Sequence, residues 1–172
     1  MAKIIYKKGC EGQNRLESIE GIEIKLLNGQ KTLIYPRYAK RILLKNAEYY
    51  SQEPDMEIAA LKRTENLRAT WKLDICGSPA VEFVAQFHSD EHGTFALPTL
   101  LAAMELQDQK KAIDALAETI EGADLLRNFT HDVWTCSRYN DVLSWMAVGS
   151  FGFADKEYSC ASALAVPTIL YR

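Results

Sequence analysis

The chain has 172 residues and a mass of 19.4 kDa, which is enough for one ordinary domain. Hydrophobic residues make up 48% and charged residues 25%, which excludes a disordered tail, a collagen-like repeat and a supercharged linker. Because 20 Lys and Arg stand against 23 Asp and Glu, the net charge is −3 and no global positive field favours a phosphate backbone. We therefore expect a soluble, folded chain that does not bind nucleic acid.

Targeting and redox signals are weak. No apolar run reaches the roughly 20 residues that a membrane-spanning helix needs. Residues 1–8 are basic but lack the apolar core of a signal peptide, so we expect a cytoplasmic product. The four cysteines form no C-x-x-C pair, which predicts free thiols, while three disulfide connectivities stay open if the protein is exported; they are Cys10, Cys76, Cys136 and Cys160.

The first third of the sequence predicts β structure. Residues 1–8 form a first strand, and Ile22–Leu26 alternates apolar and charged side chains, as a half-buried strand does. Asn28-Gly29 is typical of a two-residue type I′ turn, after which Lys31–Tyr35 returns as the partner strand. Pro36 ends that strand because it lacks an N–H. Four cations then follow, and we interpret them as a solvated face rather than an anion site; they are Arg37, Lys40, Arg41 and Lys45.

The period of the pattern changes in the middle of the chain. Asp55 is a good helix cap, and a stripe of apolar residues from Ala60 to Trp71 predicts an amphipathic helix of about four turns. Gly77-Ser78-Pro79 then breaks the chain. The alternation from Val81 to Phe87 predicts a core strand.

A polar segment, His88–Gly93, follows this predicted strand. Its His88, Asp90, Glu91 and His92 carry enough donor atoms for a transition metal. The H-x-x-x-H spacing supports a metal site only on a helix, whereas Gly93 and the polar run indicate a loop. We predict a solvated loop and no bound metal.

Two further helices and a set of short strands complete the prediction. Thr99 is placed to cap a helix over residues 100–106. A second apolar stripe from Ile113 to Ile120 predicts another helix, which Gly122 ends. Beyond it we expect short strands and turns, with Trp134 and Trp145 in the core.

The order of motifs after Gly93 is more specific than any one of them. Leu97-Pro98-Thr99 precedes the helices, Trp134, Ser137 and Tyr139 follow them, and then come Trp145 and Pro167. This order resembles the C-terminal lectin-like domain of a large bacterial and phage family of unknown function, of the Bacteroidales type. The typical Ser and Glu of the second motif are replaced by Cys136 and Arg138, and the closing motif keeps only its proline.

The resemblance covers about 80 residues and implies a C-type-lectin-like fold for the second half. We therefore predict an α+β protein with an unassigned, β-rich portion at 1–90 that contains one helix, and a degenerate lectin-like domain at 91–172. The Glu-Pro-Asn or Gln-Pro-Asp motif of calcium-dependent lectins is absent, and Tyr139–Asp141 is interpreted as a turn, so calcium-dependent glycan binding is not expected.

The resemblance favours a non-enzymatic binding or structural module, a phage-derived or mobile-element-derived recognition protein that is cytoplasmic or virion-associated. We expect no cofactor, and a protein or glycan as partner. Recognition is placed in loops between positions 138 and 158, and the candidate ligand-binding residues are Arg138, Tyr139, Asn140, Phe153, Asp155 and Tyr158. An aromatic hairpin with one buried face is the structural alternative for this region.

The alternative function is a metal- or cysteine-dependent enzyme on a scaffold like that of the formylglycine-generating enzymes. It would use His88 with His92, or Cys136 with His131. On a straight strand positions 131 and 136 point to opposite faces, which argues against a local Cys–His pair. We therefore name no catalytic residue. The sequence leaves the oligomeric state and the existence of any activity open.

Overall fold

The computed structural model describes residues 1–43, 79–129, 132–138, 143–148, 153–158 and 162–172. The described chain is α+β, as the sequence predicts. A four-stranded antiparallel sheet has the order β1-β2-β3-β11, formed by Ala2–Tyr6, Ile19–Lys25, Lys31–Ile34 and Thr168–Tyr171. The predicted helix over Asp55–Trp71 lies outside the described residues.

A second sheet of five strands has the order β4-β10-β7-β8-β9, in which only the β10–β7 pair is parallel. Its strands are β4 Ala39–Leu43, β7 Val133–Arg138, β8 Leu143–Val148, β9 Phe153–Tyr158 and β10 Ser162–Ala165. A small hairpin, β5–β6, pairs His88–Ser89 with Gly93–Thr94. The helices are α1 Pro79–Val84, α2 Leu100–Asp108 and α3 Lys110–Ala117.

Two segments of the chain pass from one sheet to the other. One connects β3 to β4 through Pro36, and the other connects β10 to β11 through Pro167. The two crossings are adjacent, since the backbone N–H of Tyr35 donates to the carbonyl of Pro167 at 3.1 Å. Each proline interrupts a ladder because it has no N–H to give, and the prediction that Pro36 ends a strand is confirmed. Each of the two sheets therefore contains strands from both sides of residue 90.

The main core lies between the two sheets and against the helices. Helix α2 begins where predicted, because the hydroxyl of Thr99 accepts a hydrogen bond from the backbone N–H of Ala102 at 3.1 Å. Helix α3 buries Ile113 and Ala117 as predicted, although it ends before Gly122. Trp134 is fully buried, also as predicted. None of the helices in the described part of the chain is long and apolar enough to cross a membrane.

The predicted strand at Val81–Phe87 is wrong, because Pro79–Val84 is helix α1. Proline is well suited to the first turn of a helix, where its missing N–H costs nothing. Ala80, Val81 and Val84 are buried, and these positions share one face at helical spacing. The segment is so rich in apolar residues that it satisfies an alternating pattern and a helical pattern equally well.

The predicted two-residue turn at Asn28-Gly29 is also wrong, because the loop contains three residues. The backbone N–H of Leu26 donates to the carbonyl of Gln30, and the N–H of Gly29 donates to that of Leu26. These bonds close a three-residue loop in which Gly29 adopts a φ of +84°. Such loops place a glycine in the left-handed conformation at their third position, so Gly29 is used, but in a different turn.

Candidate functional site

The residues predicted to bind a ligand lie mostly in strands rather than in loops. Arg138 is the last residue of β7 and pairs with Ser144 of β8. Phe153, Asp155 and Tyr158 belong to β9, which pairs along its whole length with β8. Within the described residues β9 forms one edge of the five-stranded sheet. Tyr139 and Asn140 lie outside the described residues. A ligand-binding role for this group stays a prediction.

Cys136, the candidate nucleophile of the alternative enzyme, is buried in an apolar cluster. Only 2% of the residue is exposed. It lies among side chains of α1, β7, β8 and β10 and of the segment before α2, namely Ala80, Val81, Val84, Leu97, Trp134, Met146, Ala163 and Ala165. His131 lies outside the described residues. A substrate in solution does not reach this thiol, and that observation counts against cysteine-dependent catalysis.

The polar segment between the predicted strand and Phe95 forms the β5–β6 hairpin rather than an unstructured loop. The backbone N–H of His92 donates to the hydroxyl of Ser89 at 3.0 Å. The ring of His92 stacks on Tyr171, with 4.3 Å between the ring centroids. His88 is exposed. Among the described residues no group of three or more His, Cys, Asp or Glu could hold a metal ion.

Two of the four cations after Pro36 have partners within the chain. The Nε atom of Arg37 lies 3.4 Å from the carboxylate of Asp124. The Nζ atom of Lys40 lies over the ring of Phe129, 5.3 Å from its centroid. Arg41 lies in β4, and Lys45 is outside the described residues. The interpretation that these cations form a face of the protein rather than an anion site stays a prediction.

Strand β2 carries two buried glutamates on one face, which alternation alone does not allow. Ile19 and Ile22 both belong to the main core, although an odd spacing places side chains on opposite faces of a regular strand. The register shifts here, so that Ile5 pairs with Gly21 and Tyr6 with Ile19. This β-bulge reverses the alternation, and it turns Glu20 to the same outer face as Glu23.

Gly21 makes the bulge possible. Its φ is +154°, a conformation that side chains rarely adopt, and a Cβ atom there would lie 2.7 Å from the carbonyl oxygen of Ile34. Only glycine allows the neighbouring strand to approach this closely. The prediction of a half-buried strand over Ile22–Leu26 is therefore incomplete, because Glu23 is buried as well as the isoleucines and the strand begins earlier, at Ile19.

Glu23 is the fully partnered member of the pair. The Tyr171 hydroxyl donates a hydrogen bond to its Oε2, and Lys3 Nζ lies 3.2 Å from its Oε1. Lys31 Nζ lies 4.0 Å from Oε2. Burial by itself would raise the pKa of Glu23, but the hydrogen bonds from Tyr171 and Lys3 and the two lysine charges outweigh it, so the pKa is lowered. Burial and the bond to Glu23 raise the pKa of Tyr171 well above its usual value.

Glu20 is only half partnered. Its Oε2 accepts a hydrogen bond from the backbone N–H of Asp90 at 2.9 Å, which attaches β2 to the β5–β6 hairpin. Within the described chain no donor bonds its Oε1 and no cation lies within 4.0 Å of the carboxylate. Yet only 3% of the residue is exposed. The exposed part includes Oε1, which meets solvent rather than a protein donor and is open to a ligand.

Glu20 opens into a cleft of about 370 Å³ between the end of β1 and the hairpin, which we call the Glu20 cleft. It is lined by Tyr6, Lys7, Lys8, Glu20, Asp90 and Glu91. Lys7 Nζ lies 4.0 Å from the carboxylate of Asp90, so these two rim charges offset each other. The hydroxyl of Tyr6 donates to Asn14 at 2.5 Å. The cleft is thus lined by a glutamate with one oxygen free of a protein donor and by four further charged residues.

A second depression, of about 420 Å³, lies beside α3, and its acids are satisfied. Asp114 accepts hydrogen bonds from the backbone N–H groups of Leu126 and Arg127 at 2.6 and 2.9 Å. Glu118 forms an ion pair with Arg127 at the rim. Because these acids already have partners within the chain, this depression has fewer open groups for a ligand than the Glu20 cleft has.

Sequence reasoning missed both glutamates, because it places Glu23 on the charged face of the strand Ile22–Leu26 and leaves Glu20 outside that strand. The available signal was the glycine between them, since a glycine inside a strand pattern often marks a bulge or a close backbone approach. Comparisons with known proteins add no further guide, since no family model, no curated protein and no solved structure matches the chain.

Proposed function

We propose that this protein is a non-enzymatic binding module that holds its ligand or partner in the Glu20 cleft. The observation that carries the proposal is the carboxylate of Glu20, which is 3% exposed and has one oxygen without a donor in the described chain. This oxygen meets solvent beside the cleft, so a ligand with an N–H or O–H donor can bond to it in place of water. A ligand that completes the hydrogen bonding of Glu20 accounts for its position.

The surroundings of Glu20 support binding over a purely structural role. The carboxylate already fixes the hairpin through the Asp90 N–H, and a neutral glutamine would accept that bond equally well. What glutamate adds is a negative charge beside the cleft. The rim charges of Lys7, Lys8 and Glu91 provide further contacts for a polar partner.

The resemblance to a lectin-like domain suggests the class of module. It favours a recognition or structural protein of phage or mobile-element origin, with a protein or glycan as partner. Function depends on residues placed on a scaffold, so the fold by itself does not name the ligand. The residues predicted from the resemblance remain a second candidate contact area; they are Arg138, Tyr139, Asn140, Phe153, Asp155 and Tyr158.

The proposal can be tested by screening ligands against the ¹⁵N-labelled protein. A panel of saccharides and capped amino acids with cationic, anionic or neutral groups is titrated, and the amide signals of Tyr6, Lys7, Glu20 and Asp90 are followed. We expect at least one compound to shift these signals saturably and to be recovered unchanged. Conversion of a bound compound into a product contradicts a non-enzymatic function. If no compound perturbs the cleft signals, the assignment of the cleft as the binding site is wrong.

A further inference from the structure

We infer that the Glu20 cleft binds a primary ammonium group, of the kind carried by a lysine side chain of a protein partner. This inference rests on the proposed function and specifies the chemistry of the ligand. Three features of the cleft support it: the open carboxylate oxygen of Glu20, the partners of the neighbouring lysines, and the charged residues of the lining.

Two glutamates of the same strand, Glu20 and Glu23, differ in their partners. Glu23 has a hydroxyl donor from Tyr171 and ammonium groups from Lys3 and Lys31, at 3.2 and 4.0 Å. Glu20 lies on the same face and is more buried, at 3% exposed against 9%, but within the described residues it has one backbone donor and no ammonium group. The fold itself thus shows how such a carboxylate is satisfied. The partner missing at Glu20 is a cation with N–H donors.

The two lysines that line the cleft do not neutralise its three carboxylates. Lys7 lies 4.0 Å from Asp90 and is partly offset by it. Lys8 is exposed and forms no ion pair with an acid in the described residues. The cleft therefore holds three carboxylates, from Glu20, Asp90 and Glu91, against two ammonium groups. An additional cation restores the balance, whereas an anionic ligand would increase the excess of negative charge.

The residues that line the cleft favour a lysine side chain over an amino sugar as the carrier of the ammonium group. Five of the six lining residues carry a charged group, and the hydroxyl of the one aromatic residue, Tyr6, already donates to Asn14. Sugar recognition relies mainly on neutral hydrogen bonds and on aromatic faces, which this lining provides poorly. The ammonium group of a lysine side chain therefore fits the cleft better than an amino sugar does.

The test uses Nα-acetyl-L-lysine amide, whose only charged group is the side-chain ammonium. It is titrated at about pH 6, where the amine is protonated, and the backbone amide of Asp90 reports binding because its N–H is bonded to Glu20. We expect a saturable shift with this compound. The same compound acetylated on Nε should give none, since it keeps the shape of the side chain but has lost the charge.

Two variants localise the effect. Glu20→Gln retains an acceptor for the Asp90 N–H but removes the charge, and we expect it to weaken binding about tenfold or more, as for the loss of one charge-assisted hydrogen bond. Glu82→Gln is the matched control, because Glu82 is exposed in α1 and does not line the cleft. This variant should bind like the wild type. The comparison of the two lysine compounds needs no variant, so it remains valid even if Glu20→Gln does not fold.

Equal shifts with the charged and the acetylated lysine would overturn the inference, as would equal binding by Glu20→Gln. Binding of glucosamine in place of the lysine compound would overturn the choice of a lysine side chain. If a neutral or anionic compound perturbs the cleft while ammonium compounds do not, this inference fails and the proposed binding function stands. If no compound perturbs the cleft, both fail.

Discussion

The hydroxyl of Tyr171, in the last strand, donates a hydrogen bond to the carboxylate of Glu23 in the second strand, 148 residues earlier in the sequence. The bond crosses the four-stranded sheet from β11 to β2. On the same face the ring of Tyr171 stacks on His92 of the β5–β6 hairpin. This contact therefore joins both ends of the chain to the hairpin that forms one wall of the Glu20 cleft.

The ionisation of Glu23 should make stability depend on acid pH. Its pKa is lowered in the folded protein, so its contribution is fully present above the unfolded value of about 4.3 and is lost as the pH falls through the folded value. We expect the wild type to have a larger free energy of unfolding than Glu23→Gln at neutral pH. The gap between these two free energies should narrow below about pH 4. Urea unfolding at several pH values measures the gap, with Glu82→Gln as the exposed control. A gap that stays constant on acidification would contradict this account.

The bulge at Gly21 should be intolerant of any side chain. In Gly21→Ala the new Cβ would lie 2.7 Å from the Ile34 carbonyl oxygen and 2.9 Å from Leu33 Cγ. We expect a loss of about 3 kcal/mol or more in the free energy of unfolding, from backbone strain and overpacking together. Gly12→Ala is the control, since Gly12 has a φ of +82° but open space around it, and should lose about 1–2 kcal/mol. Equal losses in the two variants would show that the close approach at Gly21 is not decisive.

Burial should protect the Cys136 thiol from reagents. Cys136 is buried and Cys10 is partly exposed. We expect iodoacetamide to alkylate Cys10 in the native protein well before Cys136, and peptide mass spectrometry resolves the two sites. Full reactivity of both in denaturant serves as the control. Modification of Cys136 in the native protein as fast as Cys10 would restore the cysteine-dependent enzyme as an alternative.

The hydroxyl of Tyr38 should contribute nothing to stability. It is buried and has no hydrogen-bond partner among the described residues. Burial, together with the charges of Asp114 and Asp124, also raises its pKa. We expect Tyr38→Phe to be unchanged or more stable by about 1 kcal/mol, because an unsatisfied buried hydroxyl is removed. Tyr6→Phe is the comparison, since its hydroxyl donates to Asn14 and its loss should cost about 1 kcal/mol. A large loss in Tyr38→Phe would reveal a hidden partner for the hydroxyl.

Local signals in the sequence predict much of the fold. Thr99 before an apolar run predicts the start of α2, and Pro36 predicts the end of β3, because capping and the missing N–H act within a few residues. The same local reasoning fails at Val81–Phe87. There the apolar residues are dense enough to fit two periods, and packing against β4 and β10 decides between them.

The candidate site was harder to predict because long-range contacts form it. Glu23 looks like an ordinary solvent-facing residue of an alternating strand, and simple alternation places Glu20 on the opposite face. Only the register shift opposite Ile5 and Tyr6 turns both of them to one face. The covering hairpin comes from residues 88–94, and Tyr171 from the end of the chain. No pattern within a short window contains that information.

The central claim is that Glu20, unlike Glu23, presents an open carboxylate to a cationic ligand. The most direct measurement follows the side-chain carboxyl ¹³C signals of both glutamates while Nα-acetyl-L-lysine amide is added. The account predicts a saturable shift at Glu20 and none at Glu23, whose oxygens are already bonded to Tyr171 and Lys3. If both signals move together, or if Glu20 does not respond, the claim is wrong.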